Sequence, residues 1–382
     1  MIILLAVVIA AAKWHERFKN SRIMRLLPTP VFCYVPPTIL TTLGVLPHQS
    51  IVYDWISKNV LPACLILILM TTDIDNLKKM GRLAFIAMIG STLTVLIGGV
   101  ATFFIFRDQI GVESWKAIAT LSGSWVGGTA NELAVKEATG LSDALFAPLF
   151  IADIMIVYVW MTFLMVLSGS QKKADRLLGA DRGQLDRIHG TRYVTTVTAV
   201  TPPRISARSL VFLLFVGFGV GSVSTWIGSQ IPAMGMAFPQ STWIILTITT
   251  AGLIMAFVRF GRKESKNATH IGYFLFYLVL ASTGARAHLL AILQAPLFLA
   301  VCFTWMAFHG GLLFLFGRLA RLPSALLATA SQANLGGVVS APIVASTYEP
   351  KLASLAVLLA LFSYAVGNYT GILLGQFLRL FT

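Results

Sequence analysis

Charged side chains are scarce in this chain of 382 residues, and their scarcity excludes most soluble folds. Only 12% of the residues are charged, whereas 57% are hydrophobic, and the mean hydropathy is +0.80. A soluble domain has about 25% charged and about 45–50% apolar residues. Since about 20 apolar residues make one membrane-spanning helix, the length has room for about ten to twelve spans. The sequence therefore predicts an all-α, polytopic membrane protein without a sizeable soluble domain.

Motifs of catalysis and of metal binding are also missing. The sequence contains no HExxH, no P-loop and no nucleophile elbow. Its three cysteines, Cys33, Cys64 and Cys302, stand alone in apolar runs, so their spacing indicates core packing rather than a disulfide or a metal site. We expect no enzyme activity and no cofactor, except for a sodium ion or a proton that would act as a coupling ion.

Positive charge, in contrast, is in excess. The chain has 29 Lys and Arg against 15 Asp and Glu, for a net charge of +14. Most of these basic residues lie in short loops between apolar runs, which is the positive-inside pattern of membrane proteins. The charge therefore predicts topology in a lipid bilayer, and we expect no nucleic acid partner.

A polar, basic stretch at 169–207 divides the chain into two similar halves. Residues 121–140 parallel residues 330–349, and an offset of 209 places the Gly127-Gly128 pair on Gly336-Gly337. This order predicts an internal repeat. We therefore expect a first transmembrane repeat at 1–168, a basic cytoplasmic linker at 169–207 and a second transmembrane repeat at 208–382.

The positions of the basic loops predict how the two repeats are oriented. If 113–138 crossed the membrane completely, the basic 169–207 stretch would fall outside, against the positive-inside rule. If 113–138 enters and leaves on one side, that stretch falls inside with most other basic loops. Each half then has about five transmembrane helices and one interrupted or re-entrant segment, and the repeats are inverted. Inverted repeats with interrupted helices are typical of secondary transporters.

Small and polar residues mark the two interrupted segments, 122–131 and 331–340. Glycine is a poor helix former, and the side-chain oxygens beside it, together with freed backbone groups, can hold a small cation or a carboxylate. The alternative is that small residues simply allow close helix packing. The candidate solute- or ion-binding residues in these segments are Ser124, Gly127, Gly128, Thr129, Asn131, Gln332, Asn334, Gly336, Gly337 and Ser340.

Asp153 lies within a long apolar run, ten positions after the nearest preceding charged residue. An intramembrane carboxylate is costly and faces a partner or a cavity. Asp153 is thus a candidate cation ligand or proton carrier, and with Asn131 and Asn334 it would form a sodium site. The alternative is a structural hydrogen bond to a neighbouring helix. For Glu132, an ion pair with Lys136, four residues away, is favoured over contact with a solute.

Several of these segments resemble a known family. The stretches GSWVGGTANELAVKEATG, FAPLFIADIMIVYVWMTFL and SYAVGNYTGILLG are similar to the domain-of-unknown-function 819 (DUF819) family of YjcL-like membrane proteins. That family resembles in turn the cation:proton antiporter and anion transporter superfamily. The resemblance implies a core domain that moves against a scaffold domain, with sodium or protons as coupling ion. Glu132 departs from this pattern, since an apolar residue is expected after the asparagine.

The function that follows is ion-coupled transport of a small solute, an organic anion, by alternating access. Two alternatives stay open: a cation:proton antiporter with Asp153 as the exchanging carboxylate, and a non-transporting membrane receptor or assembly factor. The expected partners are the solute, the lipid bilayer and, as a homodimer, a second copy of the chain. The expected location is the bacterial inner membrane.

Overall fold

A computed structural model describes the greater part of the chain, namely residues 3–10, 29–72, 77, 81–180, 205–233, 239–287 and 295–382. Every regular element within these ranges is helical, and they contain no β-strand. The prediction of an all-α protein is confirmed.

Eight helices in the described ranges are long and apolar enough to cross a membrane. Many large apolar side chains on them are exposed, among them Phe215, Leu319 and Val166, as lipid-facing residues would be. The prediction of a polytopic membrane protein is confirmed, whereas the inverted orientation of the repeats stays a prediction. The eight candidate spans are Ile51–Leu69, Arg82–Ile110, Asp143–Ser168, Ala207–Gln230, Gln240–Phe257, Asn267–Arg286, Ala295–Ala320 and Pro350–Arg379.

The chain divides into two compact units, and each collects segments from both halves of the sequence. The first unit contains residues 1–71, 140–151 and 202–296, and the second contains 72–139, 152–201 and 297–382. This is a division in space, whereas the two predicted repeats are a division along the sequence. The repeat boundaries at 168 and 208 therefore stay a prediction.

The first unit is organised around a short helix, Leu61–Leu69, whose nine residues are all buried. A helix that is apolar on every side belongs in an interior. Glycines of the neighbouring helices pack closely against it: a Cβ on Gly221 would lie 3.2 Å from the backbone nitrogen of Ala63. The other helices of this unit include residues 3–10, Thr29–Thr42, Ile51–Trp55, Ala207–Gln230, Gln240–Phe257 and Arg259–Arg286. A π-helical turn at Ile56–Val60 precedes the central helix.

The second unit contains both segments that the sequence predicts to be interrupted. We call Ser114–Thr139 the first broken helix, Ser324–Tyr348 the second broken helix and Ala353–Arg379 the last helix. Neither broken helix is among the eight candidate spans. The unit also contains Arg82–Ile110, Gln171–Leu178 and the short 3-10 turn Pro350–Leu352. Most of Ala295–Ala320 and of Asp143–Ser168 belongs to it as well, although these two helices begin in the first unit.

Part of the polar stretch 169–207 folds as a helix. Gln171–Leu178 ends at Gly179 in the left-handed conformation, and it buries Asp175. The carboxylate Oδ1 of Asp175 accepts hydrogen bonds from the backbone nitrogen of Ser324 at 2.9 Å and from its hydroxyl at 2.6 Å. Asp175 therefore caps the start of the second broken helix, a role that the basic character of the stretch does not reveal. Residues 181–204 of the stretch lie outside the described ranges.

Candidate ion and solute site

Each broken helix is interrupted at the glycine where the sequence predicts an interruption. Gly128 has φ 75° and ψ 177°, and Gly337 has φ 63° and ψ −158°. This region of backbone space is essentially restricted to glycine. The interruption is limited to one residue in each case, and the flanking serines, asparagines and glutamine lie on regular helix.

The first broken helix folds back on itself at Gly128. A Cβ on Gly123 would lie 3.2 Å from the Cβ of Val135, although twelve residues of straight helix span about 18 Å. Its two arms, 114–127 and 129–139, therefore lie side by side. A segment that enters and leaves a membrane on one side requires this geometry, and its orientation to a bilayer stays a prediction.

The second broken helix bends in the same way at Gly337. Nε2 of Gln332 donates to the hydroxyl of Ser340 at 2.8 Å, whereas eight residues of straight helix separate two positions by about 12 Å. Gly336 lies between these side chains, and a Cβ there would collide with both. Three of the predicted site residues thus stabilise the bend itself.

Both breaks meet the half-buried side chain of Tyr364 on the last helix. A Cβ on Gly128 would lie 3.1 Å from Cε1 of Tyr364, and a Cβ on Gly337 would meet its hydroxyl. The hydroxyl accepts a hydrogen bond from the backbone nitrogen of Val338 at 3.4 Å, and the Tyr364 carbonyl accepts one from Nδ2 of Asn131 at 3.0 Å. Tyr364 is absent from the residues predicted from sequence, because nothing in its local pattern indicates two partners so far away in the chain.

Three glycines spaced four residues apart form the contact face of the last helix. A Cβ on Gly367 would lie 2.7 Å from Cα of Gly127, one on Gly371 would lie 3.2 Å from the nitrogen of Gly123, and one on Gly375 would lie 2.7 Å from Cβ of Ala119. Small residues at this spacing let two helices approach closely in a membrane. The stripe was visible in the sequence as a repeated G-x-x-x-G, and it holds the first broken helix in place.

Asp153 is buried, with 3% of its surface exposed, and both of its carboxylate oxygens accept hydrogen bonds. Oδ2 accepts from the hydroxyl of Ser124 and Oδ1 accepts from the indole Nε1 of Trp125, each at 2.6 Å. These contacts attach Asp153 to the first arm of the first broken helix. Hydrogen bonds of this kind are what the structural alternative for Asp153 expects, and the role of Asp153 as a cation ligand or proton carrier stays a prediction.

Asn334 has the corresponding position in the second broken helix, 209 residues after Trp125. Its Oδ1 accepts from the hydroxyl of Ser363 on the last helix at 2.5 Å, and its Nδ2 donates to the hydroxyls of Ser91 at 2.9 Å and Thr92 at 3.2 Å. In each half, therefore, a residue of the first arm is joined to a polar residue of the following helix, 28 or 29 positions later.

The predicted sodium ligands share no hydrogen-bond partner in the described part of the chain. Asn131 bonds to the Tyr364 carbonyl, Asp153 to Ser124 and Trp125, and Asn334 to three hydroxyls. The sodium site built from these three residues stays a prediction. Of the other predicted residues, Thr129 is partly exposed directly after the first break.

A model of the family described as "Protein of unknown function (DUF819)" matches residues 3–381, which is nearly the whole chain. The chain belongs to the DUF819 family. The resemblance that its glycine-rich segments suggested is confirmed. The DUF819 chain is also 25% identical over 353 residues to the "Uncharacterized membrane protein YjcL" of Bacillus subtilis (strain 168), and the match covers 90% of the chain and 88% of that relative.

One expectation about this DUF819 protein is wrong. Glu132 does not pair with Lys136, because the ammonium of Lys136 lies 3.2 Å from Oε1 of Glu137 instead. Both carboxylate oxygens of Glu132 are buried, and neither has a hydrogen-bond partner among the described residues. The four-residue spacing allows an ion pair between Glu132 and Lys136, but it does not determine which partner Lys136 takes.

The contacts of Asp153 in the DUF819 protein lead to a stability prediction. Asp153→Asn keeps the side-chain shape and can accept from Trp125 while donating to Ser124, so it should unfold near the wild-type temperature. Asp153→Ala leaves the buried indole N–H without an acceptor, which costs about 1–3 kcal/mol. Thermal unfolding of the detergent-purified variants measures this difference, and equal stability of the two variants would show that the carboxylate is no anchor.

Proposed function

We propose that this protein is a secondary active transporter that moves a small organic anion with a sodium ion or a proton by alternating access. The observation that carries the proposal is the meeting of two helix breaks, at Gly128 and Gly337, on the single side chain of Tyr364. Backbone that departs from a helix at membrane depth is tolerated only where it is enclosed in protein or lines a cavity. Paired breaks of this kind are typical of the binding sites of secondary transporters.

The chemistry at the breaks suits an anion together with a cation. The second arms begin at Thr129 and Val338, and the first N–H groups of a helix have no partner within it. These N–H groups form the positive end of the helix dipole and bind carboxylates. The first arms end at the same breaks, and the last carbonyl groups of a helix, which have no partner within it, suit a small cation. Tyr364 adds a hydroxyl between the two.

A cation:proton antiporter is the second candidate, and it is favoured by a specific observation. Asp153 and Glu132 are both buried in the second unit and interact electrostatically. Two buried carboxyl groups can exchange a proton for a cation without any organic solute.

In both candidates we place the protein in the cytoplasmic membrane of a bacterium. A homodimer remains a proposal that crosslinking in membranes would test.

Transport in proteoliposomes tests the proposal. We expect vesicles with the purified protein to accumulate radiolabelled small mono- or dicarboxylates when an inward sodium or proton gradient is applied. An ionophore that collapses the gradient should reduce accumulation to the level of protein-free vesicles. Cation-dependent proton flux without uptake of any carboxylate would favour the antiporter, and neither activity would contradict both candidates.

A further inference from the structure

Two carboxyl groups of the second unit have opposite surroundings. Asp153 accepts two hydrogen bonds, from Ser124 and Trp125, and these donors stabilise its ionised form. Glu132 is 0% exposed, and neither of its oxygens meets a donor in the described part of the chain. The two groups nevertheless lie within electrostatic range of each other.

Among the described residues, no hydrogen-bond donor compensates the charge of an ionised Glu132. Burial of an unpaired carboxylate is costly, and the nearby negative charge of Asp153 adds repulsion. The only ammonium group one turn away, on Lys136, is paired with Glu137. An ionised Glu132 therefore needs a cation that the described residues do not supply.

The other titratable groups that the structure describes around the arm do not compensate Glu132 either. Cys302, on the packed helix Ala295–Ala320, interacts with both carboxyl groups, but a thiol supplies no positive charge. On the same helix, His309 Nδ1 lies 3.0 Å from the hydroxyl of Thr94 and its Nε2 lies 2.8 Å from that of Ser331. Tyr364, on the last helix, is a neutral hydroxyl.

We propose that Glu132 is the group that binds the coupling cation, a proton or a sodium ion, and that Asp153 holds the first broken helix in shape. The proposal deepens the proposed function and rests on it. Glu132 lies in the first turn and a half of the arm that begins at Thr129, next to the break. A cation that enters at the break can reach this carboxyl group. When the cation leaves, the negative charge of Glu132 is uncompensated, and this favours a rearrangement of the arm. Coupling of ion binding to conformation follows from this arrangement.

Infrared difference spectroscopy of the detergent-purified protein tests the assignment without any transport assay. Labelling the glutamate side-chain carboxyl groups with ¹³C shifts their infrared bands away from those of aspartate. In sodium-free buffer, we expect the protonated-carboxyl band of one buried glutamate to disappear as the pH is raised, if the cation is a proton. If the cation is sodium, addition of sodium chloride at constant pH should shift the carboxylate band of the same residue, whereas potassium chloride should not.

The responding band should be absent in Glu132→Gln, which resembles the protonated form in size and charge and should therefore fold. Glu137→Gln, five residues further along the same arm, is the matched control and should keep the band. A response that persists in Glu132→Gln overturns the assignment, and so does a Glu132 band that responds to neither pH nor sodium. Because the spectra report binding alone, an inactive transport assay with a responding Glu132 contradicts the proposed transport and leaves the cation site intact.

Discussion

Alanine at Gly128 or at Gly337 is expected to lower the free energy of unfolding by about 1–3 kcal/mol, because it forces a Cβ into a backbone region that is essentially restricted to glycine. The added Cβ also meets the ring of Tyr364 in both variants. We expect the larger effect at Gly337, where the Cβ collides with the tyrosine hydroxyl. Thermal unfolding of the detergent-purified variants measures the change in stability.

The same two variants should also reduce solute transport, since the breaks carry the proposed binding groups. A loss of about 1.4 kcal/mol in binding free energy is a factor of ten in affinity, so we expect uptake at low solute concentration to fall about tenfold or more. Uptake is measured in proteoliposomes that contain equal amounts of folded protein. Wild-type stability and uptake in both variants would show that the breaks are neither strained nor part of the site.

The control for these variants has to be a glycine with free space around it. Gly98 lies in an uninterrupted helix, yet a Cβ there would be 2.9 Å from Cδ1 of Trp305, so Gly98→Ala would disturb packing. Gly311 is exposed on the helix Ala295–Ala320, and nothing lies within 4 Å of a Cβ at this position. Gly311→Ala should leave uptake unchanged and raise stability slightly, because alanine favours a helix by about 1 kcal/mol over glycine.

Replacement of Asn334 by leucine should be the most destabilising single change among the polar residues of the second unit. The asparagine joins three helices through hydroxyls of Ser91, Thr92 and Ser363. Each buried polar group that loses its partner costs about 1–3 kcal/mol, and the three hydroxyls are buried away from solvent. We expect strongly reduced yield of folded protein and a lower unfolding temperature than in any glycine variant.

Ser363→Ala is the matched control, because it removes one hydroxyl and leaves the amide of Asn334 with its other partners. Its expected cost is about 1 kcal/mol, the usual net value of one hydrogen bond. If the two variants unfold at the same temperature, Asn334 does not join the helices as the contacts indicate.

Local composition was sufficient to predict the class of protein and the positions of the breaks. Scarce charge and long apolar runs predict helices in a membrane, because backbone groups in lipid have to be satisfied within one segment. The glycine pairs at 127–128 and 336–337 predict interruptions because they lie among polar side chains at matching places in the two halves, whereas the glycine pairs at 98–99 and 310–311 lie in uninterrupted helices. These properties depend on neighbouring residues, so they can be read along the sequence.

Only the tertiary structure decided which side chains face the breaks and which remain without partners. Tyr364 contacts the breaks of two other helices, at Gly128 and Gly337. The periodicity of the sequence does not predict which helices pack against this tyrosine. The same holds for Asp153, which the sequence marks as a candidate ion carrier and the fold turns toward Ser124 and Trp125. Glu132 and Lys136 have the spacing of an ion pair, but in the folded chain Lys136 pairs with Glu137, and Glu132 has no hydrogen-bond partner among the described residues. Partnership in a buried interior depends on which helices pack together, and that packing is a property of the whole chain rather than of any segment.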